Sequence, residues 1–572
     1  MPVFWEILIK PLTFTRMSKL IVKGTVTVSV LTMVSRVLGF VRDLFTAYLF
    51  GSTYLADAFF VAFKIPNLLR SFVAEGALNN AFVPVFVDEL AKSKEQAKET
   101  MRSMISFLLI TTILLSILGI IFAKEIIGVI APGFVSNPKK EQLCIMLTQI
   151  MLPYIICVSI VSMLNGALNA VNIFGRSAWA QIWMNVCLII GAVIACLFAK
   201  ETAIFILAYS VIVGGVVQIA IQLPTLKKVG FSVMPGLKIV TQATKQVTLL
   251  MIPAILGVAA YQLQIVINTL LASLLESGSV SWLFYAERVV QLPIGVFTVA
   301  LSSVLLPVLA RASSENKSDD FATSLTDSLR YVSFIIIPIS GILYFFAEPI
   351  AWLLFERGQF DNVSTLKTAM AIQNYSFGLW AISSGSILLR VFFAKKNTVT
   401  PTLIGVCTLI FTGMFSIVFM GTPIHGSGQW LFKLVEGGRE FLLTPLGTIA
   451  VNVGTAPLLN MKHAGLALGS SVATFCSLII IIKFVAKSHK LNWMPYVVST
   501  AKALLAVLLA GAVMPVVGNY INSAASTASG IYLLKLFCQI PLFVVLVLSF
   551  MFIFRTRELK ETGLMLLSRR KS

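Results

Sequence analysis

Seven ionisable residues lie in a stretch, 35–86, that is otherwise apolar enough for a bilayer: Arg36, Arg42, Asp43, Asp57, Lys64, Arg70 and Glu75. An ionised side chain at membrane depth costs about 2.5–3.5 kcal/mol on insertion scales, so each needs a partner, water or a ligand. At about 100° per residue, Asp57, Lys64 and Glu75 fall near one face of one helix that Pro66 kinks. Glu287, Arg288 and Arg390 extend the set. Cations outnumber acids, with Arg36, Arg42, Lys64, Arg70, Arg288 and Arg390 against Asp43, Asp57, Glu75 and Glu287. Guanidinium forks match phosphate oxygens, and a low-dielectric cavity strengthens the contact. Charges of this balance suit an anionic substrate such as a pyrophosphate. Arg42 and Arg70 have an alternative: snorkelling at helix ends and pairing with Asp43 and Glu75. Arg36 lies roughly 20 Å into its helix at 1.5 Å per residue, too deep to snorkel easily.

No enzyme site competes with these charges. A Walker A motif is absent. Asp319 and Asp320 resemble an Asp-rich metal motif but read as an acidic, solvated turn. The seven cysteines sit in apolar runs without metal-ligand spacing, and the three histidines are scattered. Neither a cofactor nor a metal is expected.

The elements that must position the charges are membrane helices. The chain has 572 residues, 58% apolar and 12% charged, where soluble domains run at about 45–50% and about 25%. This is the composition of an all-α integral membrane protein. The net charge of +20 reads as cytoplasmic loops obeying the positive-inside rule rather than as a nucleic-acid surface. Apolar runs give about fourteen transmembrane helices, near 22–49, 54–88, 101–130, 143–169, 177–199, 203–223, 246–274, 280–310, 327–354, 366–393, 400–421, 464–486, 493–516 and 530–555. With a cytoplasmic N-terminus, inner loops and helix ends carry fifteen Lys and Arg against seven outside. Both termini are therefore expected in the cytoplasm.

Gly76–Phe86 (GALNNAFVPVF) echoes Val299–Leu309 (VALSSVLLPVL), and Phe60-x-Ala62-x-Lys64 echoes Phe284-x-Ala286-x-Arg288. The echo pairs span 2 with span 8 and implies two parallel six-helix lobes. The expected division is a cytoplasmic leader, 1–21, without the apolar core or cleavage site of a signal peptide; an N-lobe, 22–225; a basic cytoplasmic linker, 226–245; a C-lobe, 246–490; two further helices, 491–556; and a cytoplasmic tail, 557–572. The two further helices suit either a groove for a long acyl or prenyl chain or packing alone. An outward insertion, 422–462, holds Trp430–Leu443, which suits a short interfacial helix or a disordered segment.

SRVLGFVRD (Ser35–Asp43), DAFFVAFKIPNLLRSFVAEGALNNAFVPVF (Asp57–Phe86), PAILGVAAYQLQIVIN (Pro253–Asn268), SGSVSWLFYAERVVQLPIGVFTVALSSVLLP (Ser277–Pro307) and KHAGLAL (Lys462–Leu468) closely resemble the MurJ (MviN) family. Its members are lipid II flippases of the MOP exporter superfamily. The resemblance spans roughly residues 19–555, apart from the loop at 422–461. It implies fourteen helices, two lobes around a central cavity and a lipid groove at the last two helices. It further implies a monomer in the bacterial inner membrane that carries undecaprenyl-diphosphate-linked disaccharide-pentapeptide to the outer leaflet, for peptidoglycan synthesis and cell-wall biogenesis. The partners are then lipid II and membrane lipids, with no nucleic acid. The family's essential cavity positions match as Arg36, Arg42, Asp57, Arg70 and Arg288, and Lys64 and Glu75 match further family charges. Two departures stand out: an acidic family position is Gln291 here, and a helix 10 lysine has no clean counterpart, Arg390 being out of register. A drug/cation antiporter of the same superfamily would show an acid-dominated cavity. A membrane glycosyltransferase would need a metal or acid site in a loop.

Overall fold

Long apolar runs without enough polar surface to leave the bilayer must satisfy their backbone internally, and helices do so. The computed structural model describes residues 16–71, 77–315, 317–395, 397–423, 430–443, 458–488, 491–524 and 528–561, and among these no strand occurs. Among the described residues, each of the fourteen expected spans is largely helical, and eleven helices are long and apolar enough to cross a membrane.

The chain divides into two compact units, Met1–Ser281 and Trp282–Ser572. The first holds α1 (Arg16–Phe50), α2 (Tyr54–Arg70), α3 (Ala77–Lys92), α4 (Lys94–Ile121), α5 (Ala123–Ile130), α6 (Pro138–Met151), α7 (Tyr154–Ala170), α8 (Phe174–Ala195), α9 (Lys200–Lys228) and α10 (Gln242–Ser273). It ends in the first residues of α11 (Ser279–Pro293). Its core gathers Phe82 and Phe86 of α3, Met101 and Met104 of α4, and Leu164 and Leu168 of α7. Val247 and Met251 of α10 join that core, so the helix expected to open the second lobe packs in the first unit. The basic linker is ordered along α4: Gly236 N–H donates to Arg102 O at 3.2 Å, and Ser103 Oγ to Ile239 O at 3.0 Å. On α4, Ile110, Leu114, Ile117 and Ile121 are exposed while Ser103 and Ser106 are buried. That helix turns its greasy stripe outward, as a lipid-facing helix does and a soluble one does not.

The second unit holds the rest of α11, a π turn (Ile294–Thr298), α12 (Val299–Ser314), α13 (Ser318–Phe345), α14 (Ala347–Phe355), α15 (Asn362–Ala394), α16 (Val399–Met420), α17 (Trp430–Leu443), α18 (Lys462–Ser488), α19 (Met494–Ala524), α20 (Ala528–Leu534), a second π turn (Lys535–Gln539) and α21 (Ile540–Ile553). α19 packs Ala503, Ala506 and Ala510 into one core with Ile337 of α13 and with Phe543, Val547 and Met551 of α21. Small residues let the backbones approach, which is how helices associate in lipid. Gly511 lies against the Phe345 ring, where a Cβ would collide.

Several spans are not continuous helices. The expected kink at Pro66 does not interrupt α2, which continues past the buried Pro66 to Arg70; residues 72–76 lie outside the described residues, and α3 begins at Ala77. Span 8 is divided by the π turn. In the insertion, Trp430–Leu443 is a helix whose Val435 is buried and whose Arg439 donates to Leu459 O at 3.0 Å.

Candidate functional site

α1 carries Arg36 and Arg42 into the apolar zone. Arg36 is exposed, with no ion-pair partner among the described residues. Arg42 is held more firmly. Its Nε and Nη2 both reach Asp43 Oδ1, at 2.9 and 2.7 Å, and Nη1 donates to Asn185 Oδ1 of α8 at 3.3 Å. Asn185 in turn donates to Ser35 O at 3.0 Å. The alternative reading of Arg42, pairing with Asp43, is thus met, and the fork is spent largely inside the first unit.

Asp57 is fully buried, which a carboxylate tolerates only when every lone pair is met. Its Oδ2 accepts from Lys140 Nζ at 2.6 Å and from Gly278 N–H at 2.7 Å. Its Oδ1 accepts from Ser281 N–H at 3.0 Å and Ser281 Oγ at 2.6 Å. Gly278 precedes α11, has φ +99°, and carries no side chain with which to cap that helix. The carboxylate of α2 supplies the missing cap from across the unit, and the positive end of the helix favours it there. Lys140 also lies over the Phe134 ring, 4.1 Å from its centroid. By sequence, Lys140 is one of the seven cations expected outside. The signal that could have found it is the deep carboxylate itself, which demanded a cation.

The remaining positions separate. Lys64 is half-buried on α2 and donates to Thr269 Oγ1 of α10 at 2.7 Å. Arg70 ends α2, half-buried. Glu75 lies outside the described residues, so the shared face of Asp57, Lys64 and Glu75 reduces to the first two. In the second unit, Arg288 of α11 lies half-buried over the Phe284 ring, 4.6 Å from its centroid, and donates to Gln291 Oε1 at 3.3 Å. Gln291 Nε2 donates to Glu287 Oε1 at 2.7 Å. The neutral Gln291 therefore bridges an acid and a cation where an acid was the family expectation. Arg390 is half-buried near the end of α15, 6.0 Å from the Phe393 centroid.

A polytopic helical protein with guanidinium groups on α1 and α11 and a capped carboxylate on α2 invites comparison with known transporters. The family model for lipid II flippase MurJ matches residues 46–426. The chain belongs to the lipid II flippase MurJ family. A probable lipid II flippase MurJ of Buchnera aphidicola subsp. Schizaphis graminum is 36% identical over 399 residues, covering 69% of this chain and 77% of that protein. The lipid II flippase MurJ of Burkholderia cenocepacia is 36% identical over 409 residues, 71% and 79% of the two chains. Among solved structures, a lipid II flippase MurJ in an inward closed conformation matches with a TM-score of 0.72 at 24% identity, over 92% of this chain and 98% of that one. An inward-facing multidrug resistance MATE family transporter of the MOP superfamily matches at 0.62 and 13% identity, over 79% and 95%. The chain shares its fold with these two transporters. The family match ends at residue 426, just inside the insertion and ahead of α17, so this helix lies beyond it.

Proposed function

We propose that this chain is a lipid II flippase that moves the undecaprenyl-diphosphate-linked peptidoglycan precursor from the inner to the outer leaflet of the bacterial cytoplasmic membrane. The observation that carries the reading is Arg36. It is a guanidinium in the middle of a helix of 35 residues, exposed and without an ion-pair partner among the described residues. A permanent cation in that position is expensive unless an anion visits it. A diphosphate offers two planar faces of oxygen that a guanidinium fork fits.

The mechanism we infer is alternating access by two lobes, 22–225 and 246–490, about a cationic cavity lined by Arg36, Arg42, Lys64, Arg70 and Arg288. Both termini are cytoplasmic in this scheme, and 422–462 faces outward. Asp57, Lys140, Gly278 and Ser281 then lie at the outer ends of their helices. The head group passes through the cavity while the prenyl tail rides in lipid along a groove in 491–556. Inward-negative potential acts on any moving charge with about 2.3 kcal/mol per 100 mV. The protein acts as a monomer and uses no cofactor.

The experiment is a flipping assay with labelled lipid II in cells depleted of this protein. Flipping restored by the chain supports the reading. Unchanged lipid II flipping with restored export of a cationic drug supports the antiporter reading instead.

A further inference from the structure

One turn of α15 is bonded to three other helical segments of the second unit, each through a different side chain. Trp380 donates its indole N–H to Ser333 Oγ of α13 at 2.9 Å. Ser383 Oγ accepts from Thr298, at the end of the first π turn, at 2.8 Å. Ser384 Oγ accepts from the Tyr496 hydroxyl of α19 at 3.2 Å. One turn along α19, Thr500 donates to the same Ser333 at 3.2 Å. Ser333, Ser383 and Ser384 have no exposed area at all. Apolar residues would fill such a core without the obligation to find partners, so buried hydroxyls that are all met specify one arrangement of the helices.

The arrangement matters because of what Thr298 terminates. A π turn holds one residue more than the α-helical turn it replaces, and such bulges occur often at functional sites. Resolving it into α-helix would rotate α11 relative to α12 by about 100°. Arg288 and Phe284 ride on α11, so their direction is set by whether the bulge persists. Thr298 is bonded to the residue adjacent in sequence to the one Tyr496 reaches. A bulge of this kind can serve as the two-state element that coupling between distant groups requires.

We propose that Ser383 and Ser384 are positioning residues that couple the lipid tail to the head-group cation. A long isoprenoid chain lying along α19 fixes Tyr496 on Ser384; Ser383 holds Thr298; and the π turn so held aims Arg288 at the diphosphate. The substrate is then read as a whole, and a diphosphate on a short chain meets a misdirected arginine. This inference rests on the reading of 491–556 as the tail groove.

The test uses the full chain in proteoliposomes and two fluorescent diphosphate lipids with the same disaccharide-pentapeptide head. One carries an undecaprenyl tail and the other a tail of two or three isoprene units. The quantity is the ratio of their flipping rates. Tyr496→Phe keeps the ring beside Trp380 and removes the hydroxyl; Ser383→Ala cuts the other end. Each is expected to lower the long-to-short ratio about five-fold, the discrimination one buried neutral hydrogen bond supports. The double variant should fall no further than either single one, because both break the same path. A purely structural role would lower both rates together and leave the ratio at its wild-type value, which overturns the proposal while the groove stands. If the wild-type chain flips both lipids equally, the groove reading falls and this coupling with it. Ser384→Ala provides a second cut at the α19 end should Tyr496→Phe accumulate poorly.

Discussion

In the first unit, α2 precedes the proline-bearing α3; in the second, α11 precedes a π turn and then the proline-bearing α12. Pro84 and Pro307 occupy the same place in the sequence echo. The charges on the two leading helices are treated differently. Asp57 of α2 is fully buried and receives four hydrogen bonds, one of them from an ammonium. Arg288 of α11 is half-buried beside a neutral amide and an aromatic face. A saturated charge is a structural lock, since breaking it strands a buried ion. A half-buried cation remains within reach of an anion. One repeated helical plan thus carries a lock in one unit, and we propose that Arg288 is a ligand hand in the other.

The largest effect should come from breaking the lock. Asp57→Asn keeps the shape but turns one acceptor into a donor that faces N–H groups and an ammonium. Breaking a buried pair from one side costs about 3–5 kcal/mol. We expect a matching fall in thermal stability in detergent, with transport lost. Lys140→Met should be milder, about 1.5–3 kcal/mol, because Asp57 keeps its bonds to Gly278 and Ser281. Equal loss for both variants would mean that Lys140 alone holds the carboxylate, and the capping account would fail.

Next comes the ligand hand. Arg288→Lys keeps the charge and loses the planar fork. Transport should drop on the order of ten-fold with little change in stability, one charge-assisted hydrogen bond's worth. A stability loss as large as that of Asp57→Asn would make Arg288 a second lock and erase the contrast.

The smallest effect marks the surface baseline. Glu315, in the loop after α12, is held down to about 2 by hydrogen bonds from Arg311 and Lys317. Its contribution is present above the ordinary carboxylate range and lost as pH falls toward 2. The group is fully exposed, where such pairs are screened and contribute little. Glu315→Gln should leave both the melting temperature and transport at pH 7 unchanged. A clear shift in either would show that the loop does more than carry charge.

Much of this was legible in the sequence, for a physical reason. Apolar runs of about 20 residues fix the spans, because hydropathy averages over side chains and the bilayer demands length. Arg36, Arg42, Asp57 and Arg288 were conspicuous because ionised groups are rare at that depth. The interruptions were not legible: the π turns at Ile294–Thr298 and Lys535–Gln539 change backbone register without changing hydropathy, and Pro293 was the sole local hint at the first. Lys140 was missed because its partner lies 83 residues away and it follows a loop signal, Asn137-Pro138. The Gly278 and Ser281 amides carry no sequence mark as acid ligands. The serine hub in α15 was present as a polar Ser-Ser pair in an apolar helix, but serine is cheap in a membrane helix, and its partners emerge only from packing.

We propose that Arg36, which has no ion-pair partner among the described residues, is met by the diphosphate of the substrate. The measurement that tests this directly is the rate of lipid II flipping by Arg36→Ala in proteoliposomes, at protein levels and melting temperature equal to wild type. The account predicts that flipping is abolished while the protein inserts and accumulates normally, and that Arg36→Lys restores only part of the rate. Normal flipping by Arg36→Ala at normal protein level would contradict it, since the arginine would then serve the helix and not the diphosphate.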